Sequence, residues 1–187
     1  LVEPDKPMDD MVQQAEAAGI PVERMMIRGN LNPILINRLR NYLKAQQPDV
    51  VHTHLIHADT HGIPAARLAG IETIITGRHN DDAFRTKGPI RLLNGLLWRM
   101  VTGGIAISHA IERFALDVER APAKKLHVVE YGLKYEAANP AQLQAARQAL
   151  RQELNLPEDA LIVGMASRLI EQKGIPYAID AFAQIQS

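Results

Sequence analysis

Short β-branched and apolar runs return along this chain, each separated from the next by a segment of helical period. Asp49-Val50-Val51-His52-Thr53-His54, Glu72 to Thr76, Ile105-Ala106-Ile107 and Leu126-His127-Val128-Val129 read as strands. Between them Thr60 to Ala69, Pro89 to Thr102 and Ser108 to Leu116 repeat apolar residues at helical spacing. Strands joined by helices of roughly 10–15 residues point to βαβ units, hence to an α/β fold with a doubly wound parallel sheet. Upstream, Asp9 to Gly19 reads as a helix and Val22 to Ile27 as a short strand. Asn32 to Gln47 reads as a helix opened by an asparagine cap and a proline at its first position.

The pattern changes near residues 131–140, where the chain turns polar and irregular before an alanine- and glutamine-rich helix, Gln142 to Leu154. A new strand, Ala160 to Ala166, and a new helix around Tyr177 to Phe182 follow. We therefore expect a boundary there, with residues 1–133 as one domain and 134–187 as a linker and the beginning of another. Leu1 is not methionine, and Ala183 to Ser187 lies within a helical pattern, so both ends are expected to be cut. A targeting signal is not legible under that expectation. With no cysteine there is neither a disulfide nor a thiolate metal site, and the 21 basic residues balance the 21 acidic ones. That balance offers no signal for nucleic acid, and no apolar stretch approaches the roughly 18 residues of a membrane span.

The loop Gly164 to Gly174, GMASRLIEQKG, places Arg168 and Lys173 between the new strand and the new helix. Ligands of open parallel sheets bind at the carboxyl ends of strands, and a helix N-terminus favours anions. An arginine fork and a lysine point charge beside both would suit a diphosphate. The same residues also fit a solvated loop with two surface cations. His52, His54, His57 and His61 form a second group. Imidazoles suit transition metals, but these four cross a strand–loop–helix junction with no metal-binding motif, so no metal is expected. His52 is read as packed in the sheet, with His54 and His57 lining a cleft. In the helix after Pro89, Leu92, Leu93, Leu96, Leu97, Met100 and Val101 form one stripe, read as core. Trp98 falls nearly opposite. It either touches lipid headgroups or a partner as a peripheral anchor, or is covered by a neighbouring loop.

Several motifs together carry a family resemblance. SRLIEQKG resembles the RLxxxKG loop of retaining, family 4-like glycosyltransferases of the GT-B fold. PDVVHTH (48–54), TGRHND (76–81), IAISHAIERF (105–114) and HVVEYGL (127–133) are similar to that family's successive strand ends, in the same order. One departure is Tyr131-Gly132, where the family usually has Asn-Gly.

The resemblance implies most of a Rossmann-like, acceptor-side N-terminal GT-B domain without its first strand and glycine loop, then the start of a Rossmann-like C-terminal nucleotide-sugar domain. It implies transfer of a sugar from a nucleotide diphosphate sugar to an acceptor hydroxyl with retention. The donor is a substrate and no cofactor is implied. Arg168 and Lys173 would hold its diphosphate, and His79 would be the catalytic-site residue that orients sugar hydroxyls. His54, His57 and Asn80 are the candidate cleft or acceptor residues. The acceptor would be a sugar, a lipid-linked or a small molecule, and the setting cytoplasmic, with the inner membrane face as a variant through Trp98. By itself such a partial chain would not turn over. A sugar-nucleotide epimerase of the same fold and a non-enzymatic two-lobed sugar-binding protein are the alternatives.

Overall fold

The computed structural model describes residues 8–27, 29, 31–133, 135 and 137–185. It divides into two compact units, Leu1–Leu133 and Lys134–Ser187. Gln186 and Ser187, read above as the end of a helical pattern, lie outside the described residues.

The first unit is a parallel four-stranded sheet in the order β1-β2-β3-β4. Its strands are β1 (Val50–His54), β2 (Thr73–Arg78), β3 (Gly103–Ala106) and β4 (Leu126–Val128). Helices α1 (Asp9–Ala17) and α2 (Pro33–Gln46) precede the sheet, and α3 (Leu55–Ala69), α4 (Gly88–Met100) and α5 (His109–Asp117) are its crossovers. Neighbouring parallel strands joined by right-handed crossovers, all progressing one way, receive their helices on one face. The buried core agrees with that geometry. Ile63 and Ala66 of α3, Leu97, Trp98 and Val101 near α4, and Ile111 and Ala115 of α5 meet Ile74, Ala106 and Leu126 of the sheet in one cluster.

Local chemistry sets the helix ends. Asn32 Oδ1 accepts from the backbone N–H of Ile34 (3.0 Å) and Leu35 (3.2 Å), with Pro33 opening α2. Ser108 Oγ accepts from the N–H of Ile111 and caps α5. At the end of α4, Lys125 Nζ donates to the carbonyls of Trp98 (3.2 Å) and Val101 (2.6 Å), so a cation meets the negative end of the helix dipole. Helix α3 begins five residues earlier than its periodicity suggests, directly after β1, through Leu55 at φ 70°.

Two expectations fail in this unit. Residues 22–27 make a single β-bridge at Met26 and no strand beyond it; Met25 and Ile27 are buried against Leu35, with Leu39 and Tyr42 alongside. Apolar alternation suits an extended segment that packs on a helix as well as one that joins a sheet. The second concerns α4, whose buried face is Asn94, Leu97, Trp98 and Val101, while Leu92 and Leu96 are exposed. Trp98 is only 1% exposed, so the peripheral membrane contact proposed for it is overturned. The physical reason lies in β3. The far edge of the indole fills the space that a Cβ on Gly104 would need, so the missing side chain opens a slot for the largest apolar group on the helix. The protein's single tryptophan should therefore emit like a buried indole. Anionic liposomes at low ionic strength should leave that emission unshifted, and a blue shift on their addition would restore the anchor.

In the second unit, α6 (Pro140–Glu153) is capped by Asn139 Oδ1, which accepts from the Ala141 N–H at 2.9 Å. Arg151 folds back to donate to the carbonyls of Glu158 and Ala160. The strand expected over residues 160–166 is not formed among the described residues. Leu161, Val163 and Met165 are exposed there, because an extended segment without a neighbouring strand has no ladder to join. A short turn of 3₁₀ helix, Glu171–Lys173, ends at Gly174 with φ 64°, and α7 (Ile175–Ile185) follows with Pro176 in its first turn.

Candidate functional site

Alternation along β1 separates its side chains into two sets. Thr53 is buried and faces α3, where its hydroxyl donates to Asp59 Oδ1 at 2.6 Å. His52 and His54 face the other way and are exposed. On β2 the same division holds, with Thr76 and Arg78 buried on the helix side and Gly77 paired with His54 across the ladder.

The helix side carries a buried ionic network that the sequence did not single out. Arg78 Nη1 donates to Asp59 Oδ2 at 2.7 Å and Arg78 Nε to Glu119 Oε2 at 2.5 Å. Arg85, from the short 3₁₀ turn Ala83–Thr86, stands 3.0 Å from Glu119 Oε1. Thr76 Oγ1 donates to Asp59 Oδ1 at 2.7 Å, and the Arg78 guanidinium lies 5.0 Å from the Trp98 ring centroid. Two cations and two carboxylates thus neutralise one another under the carboxyl ends of β1 and β2. Isolated buried charges of this kind would be very costly. The network holds the residue immediately before His79.

On the open side, the His52, His54, His79 and Tyr131 rings follow one another with centroid spacings of 4.1, 4.9 and 5.8 Å, the first pair tilted and the other two stacked. His54 Nδ1 and His79 Nε2 are 2.7 Å apart and share a hydrogen. The Tyr131 hydroxyl closes on His79 Nδ1 in a still shorter contact. Burial holds the His79 pKa below the ordinary histidine value, helped by His54 and Arg78 and opposed by Asp59. Burial likewise lowers His52, with His54 and His79 adding and Asp59 opposing. A depressed histidine pKa makes the folded state bind fewer protons than the unfolded one. These rings therefore cost no stability above the unfolded value, and stability falls as pH drops through it.

Of the residues expected at the site, His54 and His79 are thus brought into contact, with Asn80 exposed beside them. His52, read as packed in the sheet, is an exposed member of the stack. His57 and His61 part from the group. His61 is buried, and its Nδ1–H donates to the His57 carbonyl at 2.8 Å while Nε2 accepts from the Asn32 N–H at 3.1 Å. It therefore ties α3 to the start of α2. His57 lines a cavity of about 300 Å³ with Ile56, Thr60, Phe84, Ile90 and Leu93. Among the described residues no group of His, Cys, Asp and Glu is arranged to hold a metal ion. Arg168 and Lys173 are exposed in the second unit, in the loop that leads into α7.

The family described as "Glycosyl transferase 4-like domain" matches residues 3–132. No curated protein matches significantly. A glycosyltransferase from Rickettsia africae ESF-5 has a TM-score of 0.70 at 16% identity, covering 94% of this chain and 46% of that one. Anabaena Alr3699/HepE in complex with UDP and glucose has a TM-score of 0.74 at 22% identity, covering 94% and 47%. The same protein in complex with UDP-glucose has a TM-score of 0.71 at 21% identity, with the same coverage. At such identities the likeness is one of fold, and the chain spans about half the length of these structures.

Proposed function

Because the chain belongs to the glycosyl transferase 4-like domain family, we propose that it serves transfer of a sugar from a nucleotide diphosphate sugar to an acceptor hydroxyl, with retention. The observation that carries this reading is the His54–His79–Tyr131 cluster at the carboxyl ends of parallel strands, where ligands of such sheets bind. Burial, His54 and Arg78 hold the His79 pKa below its ordinary value, and a neutral imidazole suits uncharged hydroxyls better than anions. His54, Asn80 and, from its own cavity, His57 are available to the acceptor, which is a sugar, a lipid-linked or a small molecule. UDP and UDP-glucose bound to relatives of the same fold support a nucleotide-sugar donor. Retention rests on the likeness of SRLIEQKG to the loop of retaining enzymes.

The donor's diphosphate falls to Arg168 and Lys173. Charge-assisted hydrogen bonds from these side chains and a helix end stabilise the leaving group as negative charge grows on it. With that positive charge in place the reaction needs neither a metal nor a cofactor. No described helix is long and apolar enough to cross a membrane, and we assign the activity to the cytoplasm.

The intact protein incubated with UDP-glucose and a hydroxyl acceptor, followed by NMR of the anomeric proton, tests the reading. Donor and product with the same anomeric configuration are expected. Inversion would overturn retention. Conversion of the donor to an isomeric sugar nucleotide without transfer would make the protein an epimerase, and binding of free glucose in preference to UDP would make it a sugar-binding protein.

A further inference from the structure

The cavity beside His57 belongs entirely to the first unit. The first turns of α3 supply Ile56, His57 and Thr60 to its wall, the 3₁₀ turn Ala83–Thr86 supplies Phe84, and α4 supplies Ile90 and Leu93. Two of these elements set out from the strand ends that carry the histidine cluster. Helix α3 follows His54 directly, and the 3₁₀ turn begins a few residues after His79. The turn is held by the protein itself. The Arg85 guanidinium lies 5.4 Å from the Phe84 ring centroid and stands 3.0 Å from Glu119 Oε1, a fully buried carboxylate.

The lining is chemically one-sided. Ile56, Phe84, Ile90 and Leu93 offer only hydrocarbon. The Thr60 hydroxyl is committed within α3, to the carbonyls of Ile56 at 3.0 Å and His57 at 3.2 Å. That leaves His57, whose imidazole makes no hydrogen bond among the described residues. A water in such a site needs two to four polar partners to be held well, and it finds one free side chain. Replacing loosely held water by an apolar group favours binding. A free sugar ring is poorly served there, because several hydroxyls would leave water for a single polar partner. Size narrows the occupant further. A dry cavity of about 150 Å³ accommodates benzene, so about 300 Å³ has room for a ring-sized group and the atoms that attach it.

We propose that this cavity receives the apolar end of the acceptor, which is therefore an amphipathic alcohol: a hydroxyl-bearing head joined to an aryl-sized hydrocarbon group. His57 gives the one polar contact that the cavity offers. The proposal rests on the sugar-transfer reading above and narrows its acceptor to one class. An acceptor that is a sugar alone would leave the cavity unused.

Methyl NMR of the intact protein, labelled at isoleucine and leucine, is followed during titration with phenyl β-glucoside and with methyl β-glucoside. Phenyl glucoside is expected to shift the methyls of Ile56, Ile90 and Leu93 and to bind about 10- to 100-fold more tightly, the worth of the additional ring carbons taken out of water. Phe84→Ala, at a partly exposed residue, and Ile90→Phe, which narrows the cavity from α4, should each bring the two ligands to within about 3-fold of one another. With UDP-glucose as donor, phenyl glucoside should be glycosylated with the lower KM. Equal affinity for the two glucosides, or a phenyl preference untouched by both variants, overturns the cavity's role. Should both glucosides then be glycosylated equally well, the sugar-transfer reading stands without it. A phenyl preference that the variants abolish, but with transfer to neither glucoside, makes the cavity an apolar-ligand site and overturns its role for the acceptor. Failure to bind UDP-glucose at all defeats the transfer reading, and the acceptor role falls with it.

Discussion

Arg78→Met is expected to destabilise the protein by about 3–5 kcal/mol, the usual cost of removing one partner from a buried ion pair. The side chain is 2% exposed and both carboxylates it contacts are fully buried. Without it, among the described residues, Asp59 keeps only the hydroxyls of Thr53 and Thr76, and Glu119 only the Arg85 guanidinium. The cost arises from stranded charge, so removing the charge should return part of it. Arg78→Met combined with Asp59→Asn should be less destabilised than the sum of the single changes, because the pair shares one contact. The Arg38–Glu23 pair provides the control. Both of its side chains are largely exposed, at 59% and 46%, and its loss should cost at most about 1 kcal/mol. Urea unfolding of the variants measures all three quantities. An Arg78→Met cost near that of the surface pair would mean that water reaches the network.

In the intact protein, Arg168→Ala or Lys173→Ala is expected to weaken UDP binding about 10- to 150-fold, since hydrogen bonds to charged groups contribute about 1.5–3 kcal/mol each. Uridine binding should change far less, because no phosphate is present to lose its partner. Turnover should fall at least as far as affinity, since the diphosphate gains negative charge as the sugar leaves. Arg168→Lys should rescue only partly, because an ammonium does not reproduce the guanidinium fork. Both side chains are exposed in their unit, so their replacement should leave thermal unfolding unchanged. Calorimetric titration with UDP and with uridine separates the outcomes. Near-wild-type affinity for UDP in both variants would make the two residues ordinary surface cations.

Much of the first unit was legible one element at a time. Each strand of the sheet overlaps a β-branched or apolar run, and Asn32-Pro33 and Ser108 mark the starts of α2 and α5. These signals are local: capping uses atoms a few residues apart, and a buried strand must be apolar whichever neighbours it has. The extended segment around Met25 and the run from Ala160 to Ala166 look the same locally, but among the described residues the first makes only a single bridge, at Met26, and the second joins no strand. Pairing is a property of two segments, so neither could be decided from one.

The candidate site divides along the same line. Sequence by itself determined the parallel α/β architecture and the placing of His54 and His79 at strand ends, because side-chain alternation and strand–helix succession are written in the order of residues. It also marked Tyr131 as a departure from Asn-Gly, without indicating what the phenol does. Only the tertiary structure decided that Tyr131 closes on His79, that His57 and His61 belong elsewhere, and that Trp98 turns inward. It alone joined Asp59, Arg78, Arg85 and Glu119 into one network. The reason is physical. Whether a charge is paired, an indole is covered or an imidazole has a free nitrogen depends on atoms brought together from distant positions. Two of those meetings depend on space left by the missing side chains of Gly77 and Gly104.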